Sequence, residues 1–148
     1  MPNQLILNIT YSTNKDDLIG LKIENFFVGW LNKPSEEVLR KSIVNANYVV
    51  LAIDKNKKKL VGYITALSDN VLSAYIPFLE VEKEYQKQGI GRTLVEMMIK
   101  QLDNLYMIDI VCDKKLAGFY EEAGFRSWHA MIKRNYANQS DANIQTSD

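Results

Sequence analysis

Residues 79–95 have the sequence LEVEKEYQKQGIGRTLV, and this stretch decides the fold. It contains the end of a strand, a polar connection and a helix that begins near Gly89. The first backbone N–H groups of a helix have no partner within the helix and carry partial positive charge, so they bind phosphate oxygens. Glycines at Gly89 and Gly91 let a phosphate approach the backbone, and Lys87 and Arg92 can add charge-assisted contacts. The turn therefore predicts a phosphate-binding site.

Two well-known phosphate-binding motifs do not fit this turn. A P-loop has the pattern G-x-x-x-x-G-K-[ST], and the turn has no such lysine-serine pair. A Rossmann fingerprint has the pattern G-x-G-x-x-G, but Leu94 occupies the position of the third glycine. Taken alone, the turn is also compatible with a helix start that happens to contain two glycines.

Hydrophobic periodicity and turn residues predict the remaining elements. The predicted strands are residues 5–9, 48–53, 60–67, 72–81, 107–112 and 125–133. Four helices are predicted. The first is capped by Ser12 or Thr13 and ends near residue 27, and the second opens at Ser35. The third and fourth span residues 89–102 and 116–123. The order β-α-α-β-β-β-α-β-α-β indicates a mixed α/β fold. We expect one domain over residues 1–134 and a disordered polar tail over residues 135–148.

Three local features carry further expectations. Pro77 lies inside a predicted strand and cannot donate a ladder hydrogen bond, so it predicts an edge position or a bulge. The segment DKNKKK, residues 54–59, predicts a charged turn whose lysines are solvated. The apolar strand of residues 107–112 is typical of the middle of a sheet, and its Cys112 is predicted to be a buried structural thiol.

Composition excludes several classes of protein. Lys plus Arg and Asp plus Glu number 18 each, so the chain lacks the basic excess of a nucleic-acid binder. No apolar run approaches the ~20 residues that cross a bilayer, and the N-terminus does not resemble a secretory signal. The single cysteine forms no internal disulfide, and the single histidine, His129, makes no metal site. We therefore expect a soluble cytoplasmic protein with no nucleic-acid, membrane or metal partner.

Two motifs together resemble the signature of the GNAT (Gcn5-related) N-acetyltransferase family. Residues 79–95 are similar to its strand with an L-x-V end, followed by the turn [QR]-x-x-G-x-[GA]. Residues 110–125, IVCDKKLAGFYEEAGF, are similar to its later strand and the helix end F-Y-E-x-x-G-F. The resemblance covers residues 48–134 well, while the first part matches only in the order of elements.

The resemblance implies a mixed central sheet flanked by helices, with a splayed gap between two central parallel strands that holds the acyl-pantetheine arm. It implies acetyl-CoA as cosubstrate and direct transfer of acetyl, through a ternary complex, to an amine that we expect to belong to a small molecule. A protein or peptide N-acetyltransferase and a non-catalytic acyl-CoA-binding sensor remain alternatives.

The resemblance also assigns residues to acetyl-CoA, mainly through main-chain groups. The expected acetyl-CoA-binding residues are Leu79, Val81, Gln86, Lys87, Gln88, Gly89, Ile90, Gly91, Arg92, Thr93 and Asp113. Asp113 stands where many family members have asparagine. An ionised carboxylate cannot donate a hydrogen bond, so Asp113 departs from the family pattern and is open to face the acceptor amine instead.

Catalytic candidates come from the same comparison. Tyr120 occupies the family's usual general-acid position, from which its hydroxyl would protonate the departing sulfur; the alternative is an aromatic ring that only packs the last helix. Glu80 and Glu82 are two residues apart on a strand, so we expect both to face the same side. Either could take the amine proton directly or through water, although each also fits a surface carboxylate. Tyr75 is a third candidate base.

Three aromatic residues fall within five positions, at Phe26, Phe27 and Trp30. They fit a pocket for an apolar or aromatic amine, and they fit equally well a piece of core or a dimer surface. The sequence therefore leaves a homodimer open.

Overall fold

The computed structural model describes residues 8–141. The strands are β1 Ile9–Ser12, β2 Tyr48–Asp54, β3 Lys59–Ser68, β4 Ser73–Val81 and β5 Met107–Ile110. The α-helices are α1 Glu36–Asn45, α2 Ile90–Gln101 and α3 Ala117–Glu122. The strands form one sheet in the order β1-β2-β3-β4-β5, in which only the β4–β5 pair is parallel. The predicted hairpin and the predicted helix after the glycine turn are confirmed.

The sheet is covered on both faces because the side chains of its central strands alternate between two cores. We call the core under α2 the helix-side core; it includes Val50, Ala52, Val61, Ile64, Leu94, Val95 and Met98. We call the opposite core the loop-side core; it includes Phe26, Phe27, Leu39, Ile43, Leu51, Leu60 and Tyr63. The structure is therefore a mixed sheet flanked by helices, as predicted.

Helix α1 begins where its sequence signals place it. The Ser35 hydroxyl accepts a hydrogen bond from the backbone N–H of Val38 at 3.2 Å, so Ser35 is a true N-cap. Leu39 and Ile43 lie one turn apart and are buried in the loop-side core. The prediction of a helix opening at Ser35 is confirmed.

The prediction of a long helix after Ser12 is wrong. The chain forms only a short 3₁₀ turn, Lys15–Leu18, which is capped by the Asn14 side chain. Residues 19–33 are then irregular, with left-handed backbone at Asn25 and Phe27. A left-handed residue cannot continue a right-handed helix, although the apolar spacing of the segment suits one. The predicted strand 5–9 lies mostly outside the described residues, and β1 starts at Ile9.

The C-terminal part also differs from the prediction. Residues 125–135 form no strand, and β5 is the edge of the sheet in the part of the chain that the structure describes, not its middle. Cys112 is exposed, because β5 ends at Ile110 and the thiol lies beyond the sheet. Within the predicted tail, Tyr136–Asn138 forms a 3₁₀ turn, and residues 142–148 lie outside the described range. The domain boundary at 134 stays a prediction.

Strand β4 contains the bulge that Pro77 predicted. Thr65 pairs with Phe78, yet Leu67 pairs with Tyr75, so β4 has one more residue than β3 in this interval. Pairing with β5 ends at Ile76, and the strand beyond it pairs only with β3 among the described residues, while its Val81 carbonyl accepts a hydrogen bond from the Gln86 side chain. The ladder between the parallel strands therefore stops at the bulge, where the family resemblance places the splayed gap.

Candidate active site

The glycine turn joins the end of β4 to the start of α2. Gly89 is the N-cap residue of α2 and has a left-handed φ of 84°. Lys87 is also left-handed, with φ of 63°, which makes the turn tight. The Gln86 side-chain amide donates to the backbone carbonyl of Val81 at 2.9 Å and fastens the turn to the strand. The first turn of α2, whose N–H groups lack partners within the helix, therefore follows β4 through this turn.

Gly91 has a different reason to be glycine from Gly89. A Cβ built on Gly91 would meet the Phe119 ring at 3.6 Å and Val81 at 3.7 Å, which are ordinary contact distances. The φ of Gly91 is not left-handed, so the folded protein itself would tolerate a side chain there. The folded protein therefore gives no steric reason of its own for glycine at this position.

The other predicted acetyl-CoA-binding residues surround this turn. Arg92 forms an exposed ion pair with Glu122 at 2.5 Å, a pair that contributes little to stability and leaves Arg92 able to exchange partners. The Thr93 hydroxyl donates back to the Gly89 carbonyl at 3.0 Å, and the Gln88 amide makes a long bond of 3.5 Å to Glu84. Leu79, Val81 and Ile90 contribute to the helix-side core.

Asp113 is exposed and precedes the 3₁₀ turn Lys114–Leu116. Its backbone carbonyl accepts from Leu116 N–H at 2.8 Å, while its side chain makes no capping bond there. Asp113 lies three residues after the end of β5, which is the strand that pairs in parallel with β4.

Tyr120 is a buried member of the helix-side core. Its side chain is 7% exposed and packs between the rings of Phe119 and Phe125, at centroid distances of 4.9 and 5.9 Å. Burial, with a smaller effect from Cys112, raises the pKa of Tyr120 to about 12. The hydroxyl therefore keeps its proton at neutral pH, which a general acid requires.

Glu82 is enclosed in an ion-pair network. It is 2% exposed, its Oε1 lies 2.8 Å from the Lys59 ammonium, and it accepts a hydrogen bond from the Asn25 side chain at 3.0 Å. Lys59 also pairs with Glu24 at 3.2 Å. Burial alone would lower the pKa of Lys59, but the bonds to both carboxylates outweigh it and raise that pKa. The structure thus gives Glu82 a structural task, holding the loop around Asn25 on β4.

Lys59 was wrongly assigned to a solvated turn. Its ammonium is buried because β3 begins at this residue, which brings the side chain under the Glu24 loop. The sequence signal was present only in part, since a charged run does not show which lysine enters the sheet.

Glu80 is the more available carboxylate of the two. It stands directly opposite Tyr63 in the ladder, and its Oε2 accepts a hydrogen bond from the Tyr63 hydroxyl. Its Oε1 accepts from the backbone N–H of Phe27 at 2.9 Å. Burial raises the pKa of Glu80, although both hydrogen bonds oppose the rise. Glu80 and Glu82 both bind the same loop, so the expectation that they share a face is confirmed.

Aromatic rings line the same side of β4. The Phe27 ring lies 4.7 Å from Trp30 and 6.1 Å from Phe78, and the Trp30 ring is 6.5 Å from Phe78. Phe27 is buried, whereas Trp30 is 38% exposed. We call these three residues the aromatic cluster. Tyr75, the third candidate base, lies before the bulge and outside this cluster.

Neither a metal-binding group nor a membrane-spanning helix is seen within residues 8–141. That range contains no group of His, Cys, Asp and Glu side chains placed to hold a metal ion. It also contains no helix that is long and apolar enough to cross a membrane.

The family model for the GNAT acetyltransferase domain matches residues 14–138. This chain belongs to the GNAT family. The match includes the glycine turn, the bulged strand and the Tyr120 helix, so the family is assigned over the same residues that form the splayed gap. GNAT proteins are acetyl-CoA-dependent acyltransferases, and acetyl transfer is the chemistry of this domain.

Individual relatives agree with the family assignment. The chain is 32% identical to the uncharacterized N-acetyltransferase ycf52 of Gracilaria tenuistipitata var. liui, over 66% of this chain and 56% of that protein. It is 27% identical to the histone acetyltransferase TAP1 of Glycine max, over 85% of this chain and 59% of that protein. The chain thus spans little more than half the length of these two relatives.

A solved structure extends the similarity to nearly the full chain. A Deinococcus radiodurans R1 protein assigned as an acetyltransferase superposes with a TM-score of 0.81 and 33% identity. The alignment covers 95% of this chain and 97% of the Deinococcus chain. The similarity therefore extends over nearly the whole length of both chains.

Proposed function

We propose that this GNAT protein transfers acetyl from acetyl-CoA to the primary amine of a small molecule, by direct attack within a ternary complex. The observation that carries the proposal is Glu80. It is a partly buried carboxylate of raised pKa, at the end of the splayed strand and beside the aromatic cluster. A carboxylate of raised pKa is a better base near neutral pH than an ordinary glutamate.

Acetyl-CoA would be held by the elements on the helix side of β4. The N–H groups of the first turn of α2 suit the pyrophosphate, because Gly89 shapes the turn and Gly91 leaves its backbone accessible. The backbone of β4 after the bulge has no strand partner on the β5 side among the described residues. Its polar groups there suit the amides of the pantetheine arm.

The chemistry needs two protons to leave the ammonium nitrogen and one to reach sulfur. Glu80 would take the ammonium proton, directly or through a water molecule, so that the neutral amine attacks the thioester carbonyl. A C–N bond forms, the C–S bond breaks, and the Tyr120 hydroxyl protonates the departing thiolate. The second proton of the attacking nitrogen leaves as the amide forms and restores the Tyr120 hydroxyl through solvent. Tyr120 carries this proton in the resting enzyme, as a tyrosine does at neutral pH, and its raised pKa of about 12 makes it a weaker acid than an exposed tyrosine. Glu82, already paired with Lys59, is the weaker candidate base.

The acceptor would carry an apolar or aromatic group next to its amine. Trp30 is the partly exposed member of the aromatic cluster, and Phe27 of the same cluster donates its N–H to Glu80. An amine whose nitrogen reaches Glu80 would place its carbon skeleton against these rings. Aromatic surfaces also bind organic cations favourably, which suits a protonated amine.

A protein acceptor is the second candidate. The Glycine max relative is named a histone acetyltransferase, and a lysine side chain is also a primary amine on an apolar stem. The two candidates differ in whether peptides or free amines are acetylated faster. A third possibility, an acyl-CoA sensor, predicts tight acetyl-CoA binding with no turnover of any amine.

The test is an assay of CoA release with a panel of free amines and lysine peptides, run with the native enzyme and two variants. Glu80→Gln should lower kcat/KM by roughly 10²–10⁴-fold while leaving acetyl-CoA affinity unchanged. Glu37→Gln is the matched control, because Glu37 is exposed in the first turn of α1, far from the gap. An unchanged rate in Glu80→Gln would remove Glu80 as the base, and turnover of peptides alone would replace the small-molecule acceptor.

A further inference from the structure

We propose that Tyr63 is a positioning residue for Glu80. The Tyr63 hydroxyl fixes the Glu80 carboxylate and keeps it ionised at the pH of turnover. The inference rests on the proposed function, because it takes Glu80 as the base. The residue motifs did not indicate Tyr63, whose hydroxyl becomes significant only through its position opposite Glu80 in the ladder.

Packing gives Tyr63 little freedom to move. The residue is fully buried in the loop-side core, and its ring meets the Phe26 ring edge-on at a centroid distance of 5.3 Å. Tyr63 and Glu80 face each other across two antiparallel strands, so the backbone fixes the separation of their side chains. The hydroxyl is therefore presented to the Glu80 Oε2 by the sheet and not by a flexible loop.

The hydroxyl acts as a donor and not as a second base. Burial, together with the charge of Glu80, raises the pKa of Tyr63 far above its ordinary value. The phenol therefore stays protonated throughout the working range and has one hydrogen to give, which it gives to Glu80. A donor to the ionised form of an acid stabilises that form and lowers the pKa of the acid.

A second donor holds the other oxygen of Glu80. The Phe27 N–H reaches Oε1 because Phe27 adopts a left-handed backbone with φ of 58°. The loop carrying Phe27 is itself fixed by the buried Glu82–Lys59 pair through Asn25. The carboxylate thus has one bond to each oxygen, from two separate elements.

The charged groups near Glu80 are few, which makes its titration interpretable. Glu82 lies two residues along the chain, just after β4; Tyr63 and Lys59 lie on β3; Lys22 and Glu24 lie on the loop. Lys59 pairs with Glu24 and with Oε1 of Glu82, whereas the buried Oε2 of Glu82 has no hydrogen-bond partner within residues 8–141. Glu80 forms no ion pair within that range, and its pKa is set by burial and by its two hydrogen bonds. Removing the Tyr63 hydroxyl should therefore act on Glu80 directly.

The experiment combines Tyr63→Phe with two readouts. We expect the acid limb of the kcat/KM profile to move to higher pH by roughly 1–2 units, since Glu80 loses a donor that lowers its pKa. The KM for acetyl-CoA should not change. Tyr48→Phe is the matched control, because it removes a tyrosine hydroxyl bonded to Asn70, away from Glu80. An acid limb that stays in place would overturn the proposal.

The second readout does not depend on turnover. Carboxyl ¹³C NMR should show the Glu80 titration at higher pH in Tyr63→Phe than in the native protein and in Tyr48→Phe.

If Tyr63→Phe does not fold, the Tyr63 hydroxyl proton is followed in the native protein and in Glu80→Gln. It should exchange slowly and shift downfield in the native protein, and change in the variant; a rapidly exchanging proton would contradict the bond. If Glu80→Gln retains full activity, the proposed base fails, while the NMR result still decides the role of Tyr63.

Discussion

Gly91→Ala should separate cofactor affinity from stability. In the free protein the new methyl group would lie 3.6 Å from Phe119 and 3.7 Å from Val81, so it makes contacts without overlap. Alanine is also a better helix residue than glycine, and Gly91 lies in the first turn of α2. We therefore expect stability to stay level or rise, by at most about 1 kcal/mol.

Binding should respond in the opposite direction. The methyl group occupies the space through which a phosphate oxygen reaches the N–H groups of the turn. Losing one charge-assisted hydrogen bond costs about 1.5–3 kcal/mol, which corresponds to about a 10- to 150-fold increase in the Kd for acetyl-CoA. Isothermal titration measures the Kd, and thermal unfolding in the absence of ligand measures stability.

Gly118→Ala is the matched control for this prediction. Gly118 lies in α3, and a Cβ built there meets nothing within 4 Å. The control should gain a similar amount of stability and bind acetyl-CoA normally. The reasoning would be refuted if Gly91→Ala bound acetyl-CoA as tightly as the native protein, or if its weaker binding came with a loss of stability.

Two further predictions concern the remaining buried groups. Tyr120→Phe should bind acetyl-CoA normally but turn over more slowly. The loss of rate should lie toward the low end of roughly 10²–10⁴-fold, because a thiolate leaves readily. Single-turnover kinetics measures this rate, and a rate equal to that of the native enzyme would exclude Tyr120 as the acid. Lys59→Met leaves the buried Glu82 carboxylate without its cation, so urea unfolding should show that the free energy of unfolding falls by about 3–5 kcal/mol. The control Lys57→Met removes an exposed lysine and should change it by no more than about 0.5 kcal/mol. Equal effects of the two substitutions would contradict the buried pair.

The parts of the fold that followed from the sequence are those with local causes. Ser35 caps α1 through its own side chain, and Gly89 shapes the turn before α2 through its own φ. Pro77 lacks the N–H that a regular ladder needs, so the bulge was also visible in the sequence. Each of these features depends on a few neighbouring residues, which is why periodicity and residue type were sufficient.

The errors arose where distant residues decide the conformation. The apolar spacing of residues 18–26 suits a helix, but Glu80 and Glu82 hold this loop through Phe27 and Asn25, more than 50 positions earlier in the chain. Lys59 was missed for the same reason, since its partners lie on a loop and on another strand. The roles of the site residues, the cytoplasmic location and the homodimer stay predictions.

The single extra residue in β4 has a consequence for which chemistry each side of the sheet carries. Before it, the even-numbered Ile76 lies in the helix-side core; after it, the odd-numbered Leu79 and Val81 take that side. The even-numbered Phe78 and Glu80 are thereby turned toward the loop that carries Phe27. In an uninterrupted strand all even positions share one face, and Glu80 would lie beneath α2. A change of parity thus places the proposed base and the proposed cofactor side on opposite faces of the sheet, and deleting one residue there would exchange the two faces.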